Sequence, residues 1–249
     1  MVTGRSSSRA RPSAREKSVM QTQYYPPPAP HALPPRTSRF DTMLQLRDVA
    51  RNGLLRPVTL TVGPGQRMVV AGPSGCGKTL LLRSIAELDP HEGTVLLDAR
   101  SSRTWGIPAW RSHVMYIPQR PTFPTGTVRA ALQAGFAFRA HQGRSYSEAR
   151  ALELLDLLGR PAELLDQSTM RLSGGESQSI ALVRAVLLEP RVLLADEITA
   201  ALDADLARRV ETFLLDWSIA EDQRAVVWVG HNDAENQRVG TAAITLEKA

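Results

Sequence analysis

Gly72, Pro73, Ser74, Gly75, Cys76, Gly77, Lys78 and Thr79 form a run whose residue types and spacing suit a polyphosphate. Three glycines let the backbone curl until successive N–H groups face one point, and the lysine brings a compact positive charge to it. Lys78 is expected to reach the β- and γ-phosphates, and the Thr79 hydroxyl to ligate Mg²⁺. The apolar run Met68–Ala71 reads as a buried strand entering this turn. Leu80, Leu81 and Leu82 open an amphipathic helix leaving it, whose positive end adds to the cradle. Only Lys17, Lys78 and Lys248 are lysines among 30 basic residues, so Lys78 stands apart in an arginine-rich chain. The competing reading is a surface glycine-rich turn holding a chance lysine.

Two further apolar runs end in polar side chains suited to nucleotide chemistry. Val192–Ala195 leads into Asp196 and Glu197, and Val226–Val229 leads into Gly230 and His231. A shorter strand, Val114–Ile117, leads into Pro118 and Gln119. In open parallel sheets ligands sit beyond the carboxyl ends of the strands, so these distant residues are expected to converge.

The elements that must position them follow from periodicity. Leu44–Val49 and Pro57–Val62 alternate and are separated by turn signals, which predicts a small antiparallel β layer ahead of the loop. The helix after the loop is predicted to run through Leu88 to the stop at Asp89-Pro90, with a strand over Gly93–Asp98. From about 120 to 170 the chain turns Ala- and Leu-rich, with helices opening at Thr127 and Ser147, as an insertion between core strands. Phe123, Phe136 and Phe138 gather there, either as packing or as a docking face for another subunit. A helix with Ile180, Val183 and Leu187 follows Leu172–Gln178, and another carries Val210, Phe213 and Leu214.

At 249 residues the chain can bury one α/β core plus a sub-domain. Its single cysteine, Cys76, excludes a disulfide framework and a cysteine-based zinc site; within the loop it reads as a small tolerated residue, with redox sensitivity as the other reading. The net charge is +5, yet residues 1–40 hold seven basic side chains against Glu16 alone, and the rest holds 23 basic against 24 acidic. The basic character therefore belongs to a Ser/Arg/Pro-rich arm over 1–42, expected to be disordered, and no specific nucleic-acid partner is expected for the near-neutral remainder. The arm lacks the apolar stretch of a secretory signal; an upstream start preceding Met20 or Met43, an organellar transit segment and a lipid-touching arm remain open readings. No run approaches the length that spans a bilayer, so any membrane part belongs to another chain.

The combination of GPSGCGKT, Gln119, LSGGE at 172–176, Asp196-Glu197, Ala201-Leu202-Asp203 and His231 resembles the ATP-binding-cassette (ABC) ATPases over residues 43–249. That resemblance implies an α/β fold: a P-loop NTPase (RecA-like) core with an antiparallel β layer and an inserted helical sub-domain. It implies that ATP and Mg²⁺ bind along Gly72–Leu80. Asp196 would orient the metal through water, Glu197 would polarise the attacking water, and His231 would contact the γ-phosphate. Gln119 would sense the metal and the transport partner, and Asp203 would link the two sites of a dimer. Ser173, Gly174 and Gly175, at a helix start, suit a second phosphate surface of backbone N–H groups and a hydroxyl. By the family's pattern two copies sandwich two ATP molecules head to tail. The chain would then drive a separate integral membrane permease from the cytoplasmic face of the membrane.

Within the family, Ile198 in DEITAALD and the segment VVWVGHNDAE (226–235) are similar to iron-export ATP-binding subunits. Two departures stand out. Arg51 or a neighbour occupies the region where the family stacks an aromatic residue on adenine, which predicts a guanidinium stacked on the base. Ser179 replaces the arginine common after the signature, which puts contacts between sub-domains in doubt. A soluble ABC ATPase acting on macromolecular complexes, and a binding module without hydrolysis, are the alternatives. The chain shows neither the second cassette nor the coiled-coil insertion usual in the first, and it keeps the Glu197 and His231 that the second would have lost.

Overall fold

The computed structural model describes residues 42–249, with Met1 and the strand Thr22–Tyr24. In chain order the elements are β1 (Thr22–Tyr24), β2 (Leu44–Arg51), β3 (Leu55–Val62), β4 (Arg67–Ala71), α1 (Lys78–Ile85), β5 (Glu92–Leu97), β6 (Arg100–Ser101), α2 (Ser102–Trp105) and α3 (Ile107–His113). Then come β7 (Val114–Ile117), α4 (Val128–Gln133), α5 (Glu148–Leu157), α6 (Gly174–Leu187), β8 (Val192–Asp196), α7 (Ala204–Ile219), β9 (Ala225–Val229), α8 (Asp233–Val239) and β10 (Ala242–Thr245).

Two sheets result. One runs β1-β10-β4-β9-β8-β7 and is parallel except for β1; the other, β3-β2-β5-β6, is antiparallel. The predicted α/β architecture is present. Successive side chains of a strand point to opposite faces, so the all-apolar strands feed two cores at once. Met68, Val70, Leu194, Val227 and Val229 pack toward the antiparallel layer and α1, whereas Val69, Leu193, Val226 and Trp228 pack toward α6 and α7. Arg67 is buried at the start of β4, and burial lowers its pKa. It donates to Val239 O at 2.7 Å and Ser218 Oγ at 2.9 Å, tying the sheet to the ends of α7 and α8.

The inserted helices begin where their caps predict. Thr127 Oγ1 accepts from the Ala130 N–H and Ser147 Oγ from the Arg150 N–H, both at 3.2 Å, satisfying donors that a helix start leaves free. Phe123 and Phe136 pack on the core, but Phe138 is 66% exposed, so the phenylalanines divide between packing and surface. The helix after the loop ends three residues earlier than periodicity suggests, because Glu87 takes a left-handed φ of 56°. The expected disorder of the 1–42 arm falls mostly outside the described residues. At Thr22–Tyr24 it is corrected, since this segment pairs antiparallel with β10, Thr22 opposite Ile244. A free sheet edge accepts any backbone that presents donors and acceptors, with no apolar pattern required.

Candidate functional site

The loop between β4 and α1 is shaped by its neighbours. Gly77 caps α1 with a left-handed φ of 97°, and a Cβ there would lie 3.1 Å from Leu54 O in the β2–β3 turn. Gly72, at φ 140°, would bring a Cβ within 2.6 Å of Leu246 O, where the chain leaving β10 bonds Ala71. The glycines are therefore required twice over, by backbone region and by close approach. Lys78 Nζ donates to Gly72 O at 2.9 Å and Pro73 O at 3.2 Å, holding the ammonium over the curl of the loop. Cys76 is buried beneath it, so the thiol is a packing residue. Pro73, Ser74, Gly75 and Thr79 are exposed on the loop and its helix start, with Leu80 half-buried.

Thr79 Oγ1 donates to Asp196 Oδ1 at 3.2 Å, which joins the start of α1 to the end of β8 across 117 residues of sequence. The other carboxylate oxygen accepts from the Tyr116 hydroxyl at 2.7 Å. Burial, and then the bond to Asp196, push the Tyr116 phenol well above its ordinary pKa, so it stays a donor. Glu197 takes a left-handed φ of 48°, uncommon for a residue with a side chain and typical of functional turns. Its backbone N–H is fixed by Val229 O at 2.9 Å, and its carboxylate accepts from Gln119 Nε2 at 2.8 Å. Gln178 of α6 holds the Gln119 segment through the carbonyls of Pro118 and Gln119. His231 follows β9 with its ring exposed; its backbone N–H donates to Glu235 Oε2 at 2.7 Å, and the other oxygen of Glu235 accepts from Thr199. Lys78, Thr79, Gln119, Asp196, Glu197 and His231 thus gather at the carboxyl ends of the neighbouring strands β4, β7, β8 and β9.

Ser173, Gly174 and Gly175 form a separate group. Ser173 caps α6 in a reciprocal box: its Oγ accepts from the Glu176 N–H at 3.2 Å, and its N–H donates to Glu176 Oε2 at 2.8 Å. The bonds with Ser173 hold the Glu176 carboxyl below its usual range, against the opposing effect of burial. The serine hydroxyl only accepts in this box, so its own proton is free to donate. Gly174 and Gly175 lie against Ala201 and Leu202, beside Asp203, which caps α7 by accepting from the Leu206 N–H at 2.9 Å. That bond lowers the Asp203 pKa.

Two sequence expectations change here. The Arg51 guanidinium donates to Asp89 Oδ2 at 3.0 Å, where Asp89 also accepts from Arg83 at 2.8 and 2.9 Å. A charge-assisted bond of that kind holds Arg51 beyond the end of α1, in place of the expected stacking position over a base. At Ser179 a guanidinium does arrive, from Arg160: its Nε donates to Ser179 Oγ at 2.9 Å, and that hydroxyl donates to Gly175 O at 2.9 Å. Tyr116, Gln178, Glu235 and Arg160 are the site residues that sequence reasoning missed; Gln178, inside LSGGESQ, and Glu235, closing VVWVGHNDAE, lay within motifs the sequence had already marked. Arg160→Ala is expected to reduce ATP turnover about 3- to 10-fold with little change in nucleotide affinity, because it braces the Gly175 turn and not the loop of Lys78. Steady-state ATPase assays beside nucleotide titration check this split.

Residues 55–200 match the sequence profile of the family described as ABC transporter. The chain belongs to this family. As an ABC ATPase it hydrolyses ATP. It is 33% identical over 198 residues to the "Probable iron export ATP-binding protein FetA" of Escherichia coli (strain K12), covering 78% of this chain and 86% of that one. It is 37% identical over 185 residues to "Fe(3+) ions import ATP-binding protein FbpC 3" of Rhodococcus jostii (strain RHA1), spanning about half of that protein, 52%. Among solved structures, the dimeric bacterial ABC transporter cassette MJ0796 matches with a TM-score of 0.72 and 27% identity, over 82% of this chain and 94% of that one. The P-loop NTPase cassette fold is therefore established for this ABC ATPase.

Proposed function

We propose that this ABC ATPase closes on ATP as a head-to-tail pair of identical chains and powers a separate membrane permease that exports a metal, with iron the best-supported cargo. The observation that carries the pairing is the division of the site into two groups. Lys78, Thr79, Gln119, Asp196 and Glu197 are joined by bonds to one another or to adjoining backbone, while Ser173–Gly175 present a capped helix start beside Asp203. A γ-phosphate held by Lys78 of one copy would take the Ser173 proton and the α6 N–H groups of the other.

Thr79 and Asp196 supply hard oxygen donors that suit Mg²⁺, which would neutralise charge on the β- and γ-phosphates. The Tyr116 bond fixes the Asp196 carboxylate for that task. The Glu197 carboxylate, oriented by the Gln119 amide, accepts the proton of the attacking water, and the Lys78 ammonium exchanges its loop carbonyls for phosphate oxygens. His231 contacts the γ-phosphate from β9.

The export reading rests on FetA, most of whose length this chain covers, and on Ile198 and the 226–235 segment. No helix among the described residues is long and apolar enough to cross a membrane. In this reading the permease is a different polypeptide, and the subunit works at its cytoplasmic face. The test is to co-purify the membrane protein produced with this chain, reconstitute both in vesicles, and follow radiolabelled iron. ATP-dependent movement toward the extracytoplasmic side is expected; movement of equal rate with and without ATP, or in the opposite direction, overturns the proposal.

A further inference from the structure

A cavity of about 450 Å³ lies between α5 of the inserted helices and α7 of the core, within the size range of small-molecule sites. Leu157, Phe213 and Trp217 give it an apolar wall. Around that wall stand four guanidiniums, Arg150, Arg208, Arg209 and Arg224, against the carboxylates of Glu153 and Asp216. Two of the four are already matched: Arg150 pairs with Glu153 at 2.6 Å and Arg224 with Glu221 at 2.5 Å. Arg224 also lies over the Trp217 ring at 4.9 Å.

Arg208 and Arg209 form no ion pair among the described residues. The Arg209 guanidinium carbon lies 3.3 Å from where a Cβ on Gly159 would sit, so the missing side chain at 159 makes room for this fork. Trp217 is only 4% exposed, and its indole N–H is buried with no acceptor among the described residues. Two adjacent arginines on one helix, with Asp216 the one lining carboxylate not in an ion pair among the described residues, stand beside an aromatic wall and match a ligand that is anionic at one end and apolar along its body.

We propose that this cavity binds a small aromatic carboxylate, gripped at its charged end by Arg208 and Arg209 and along its body by Leu157, Phe213 and Trp217. None of these residues enters the nucleotide chemistry. The ligand bridges the inserted helices and the helix that follows Asp203.

The test is isothermal titration of the full chain, saturated with ADP so that the nucleotide site is filled, using 1-naphthoate as probe. Binding with Kd about 10–100 µM is expected, with 1-naphthalenemethanol at least about 10-fold weaker and equimolar inorganic phosphate unable to displace the carboxylate. The double variant Arg208→Gln/Arg209→Gln is expected to weaken binding at least about 10-fold, and Thr212→Trp, which puts bulk into the cavity, to abolish it. Both variants keep basal ATP turnover. The proposal is overturned by silence up to about 1 mM naphthoate, by equal binding of the alcohol, by displacement with phosphate, or by binding that survives the arginine replacements. The arginine variant decides alone if Thr212→Trp does not fold.

Discussion

Glu197→Gln is expected to lower steady-state ATP turnover by about 100-fold or more while leaving ATP bound, the range lost when a positioned general base is removed. The backbone at this position is fixed independently of the carboxylate: the Glu197 N–H is held by Val229 O, and its carbonyl accepts from the Ala200 N–H at 3.1 Å. Glutamine has the same length and adopts the same left-handed turn at the same cost, so the change removes the proton acceptor without moving the loop. The Gln119 amide loses a charged partner but keeps an amide oxygen to bond. ATP then stays between the two copies, and the pair persists. Size-exclusion in the presence of ATP is expected to show a dimer for Glu197→Gln and a monomer for wild type after turnover. Equal ATPase rates for the two proteins contradict the assignment of Glu197, and a strictly monomeric profile contradicts the ATP-held pair.

Lys78→Ala is expected to weaken ATP binding about 10- to 100-fold, the equivalent of one or two hydrogen bonds from a charged group, and to reduce turnover below detection. The ammonium is the only lysine charge within residues 18–247, and it sits on the loop through Gly72 O and Pro73 O. Those carbonyls are exposed or half-buried and can return to water, so the folded state is expected to lose no more than about 1 kcal/mol. Titration with a fluorescent ATP analogue, beside calorimetry of unfolding, separates the two. Unchanged affinity contradicts the phosphate-binding role, and a large loss of stability reassigns Lys78 as structural.

The strand-loop-helix around Lys78 and the strands ending at Asp196 and His231 were legible because each is local: a short apolar run, a turn residue and a polar end are adjacent in sequence. The antiparallel layer was legible for the same reason. What stayed hidden depends on closures between distant segments. Tyr116 reaches Asp196 across 80 residues, Glu235 reaches Thr199 across 36, and Arg160 reaches Ser179 from the far side of a turn. Nothing in a single tyrosine or arginine announces such a partner. Arg51 illustrates the same point: the strand read from alternation stops at Val49, two residues short of it, and Asp89, 38 residues later, decides where the guanidinium goes. The helices α3 and α8 escaped because seven residues make about two turns, too few for a helical period to show, and β10 because Ala242–Thr245 carries only one large apolar side chain, Ile244.

Glu235 fastens two segments that otherwise have no common cause to move. One oxygen takes Thr199, in the turn that continues to Ala201 and Leu202 against the signature glycines, and the other takes the peptide of His231. In the proposed pair, a pull on that turn from the second copy would reach the histidine peptide through this one carboxylate. If two copies pair as proposed, this carboxylate would let the γ-phosphate end of one site feel the state of the turn that lies beside the other.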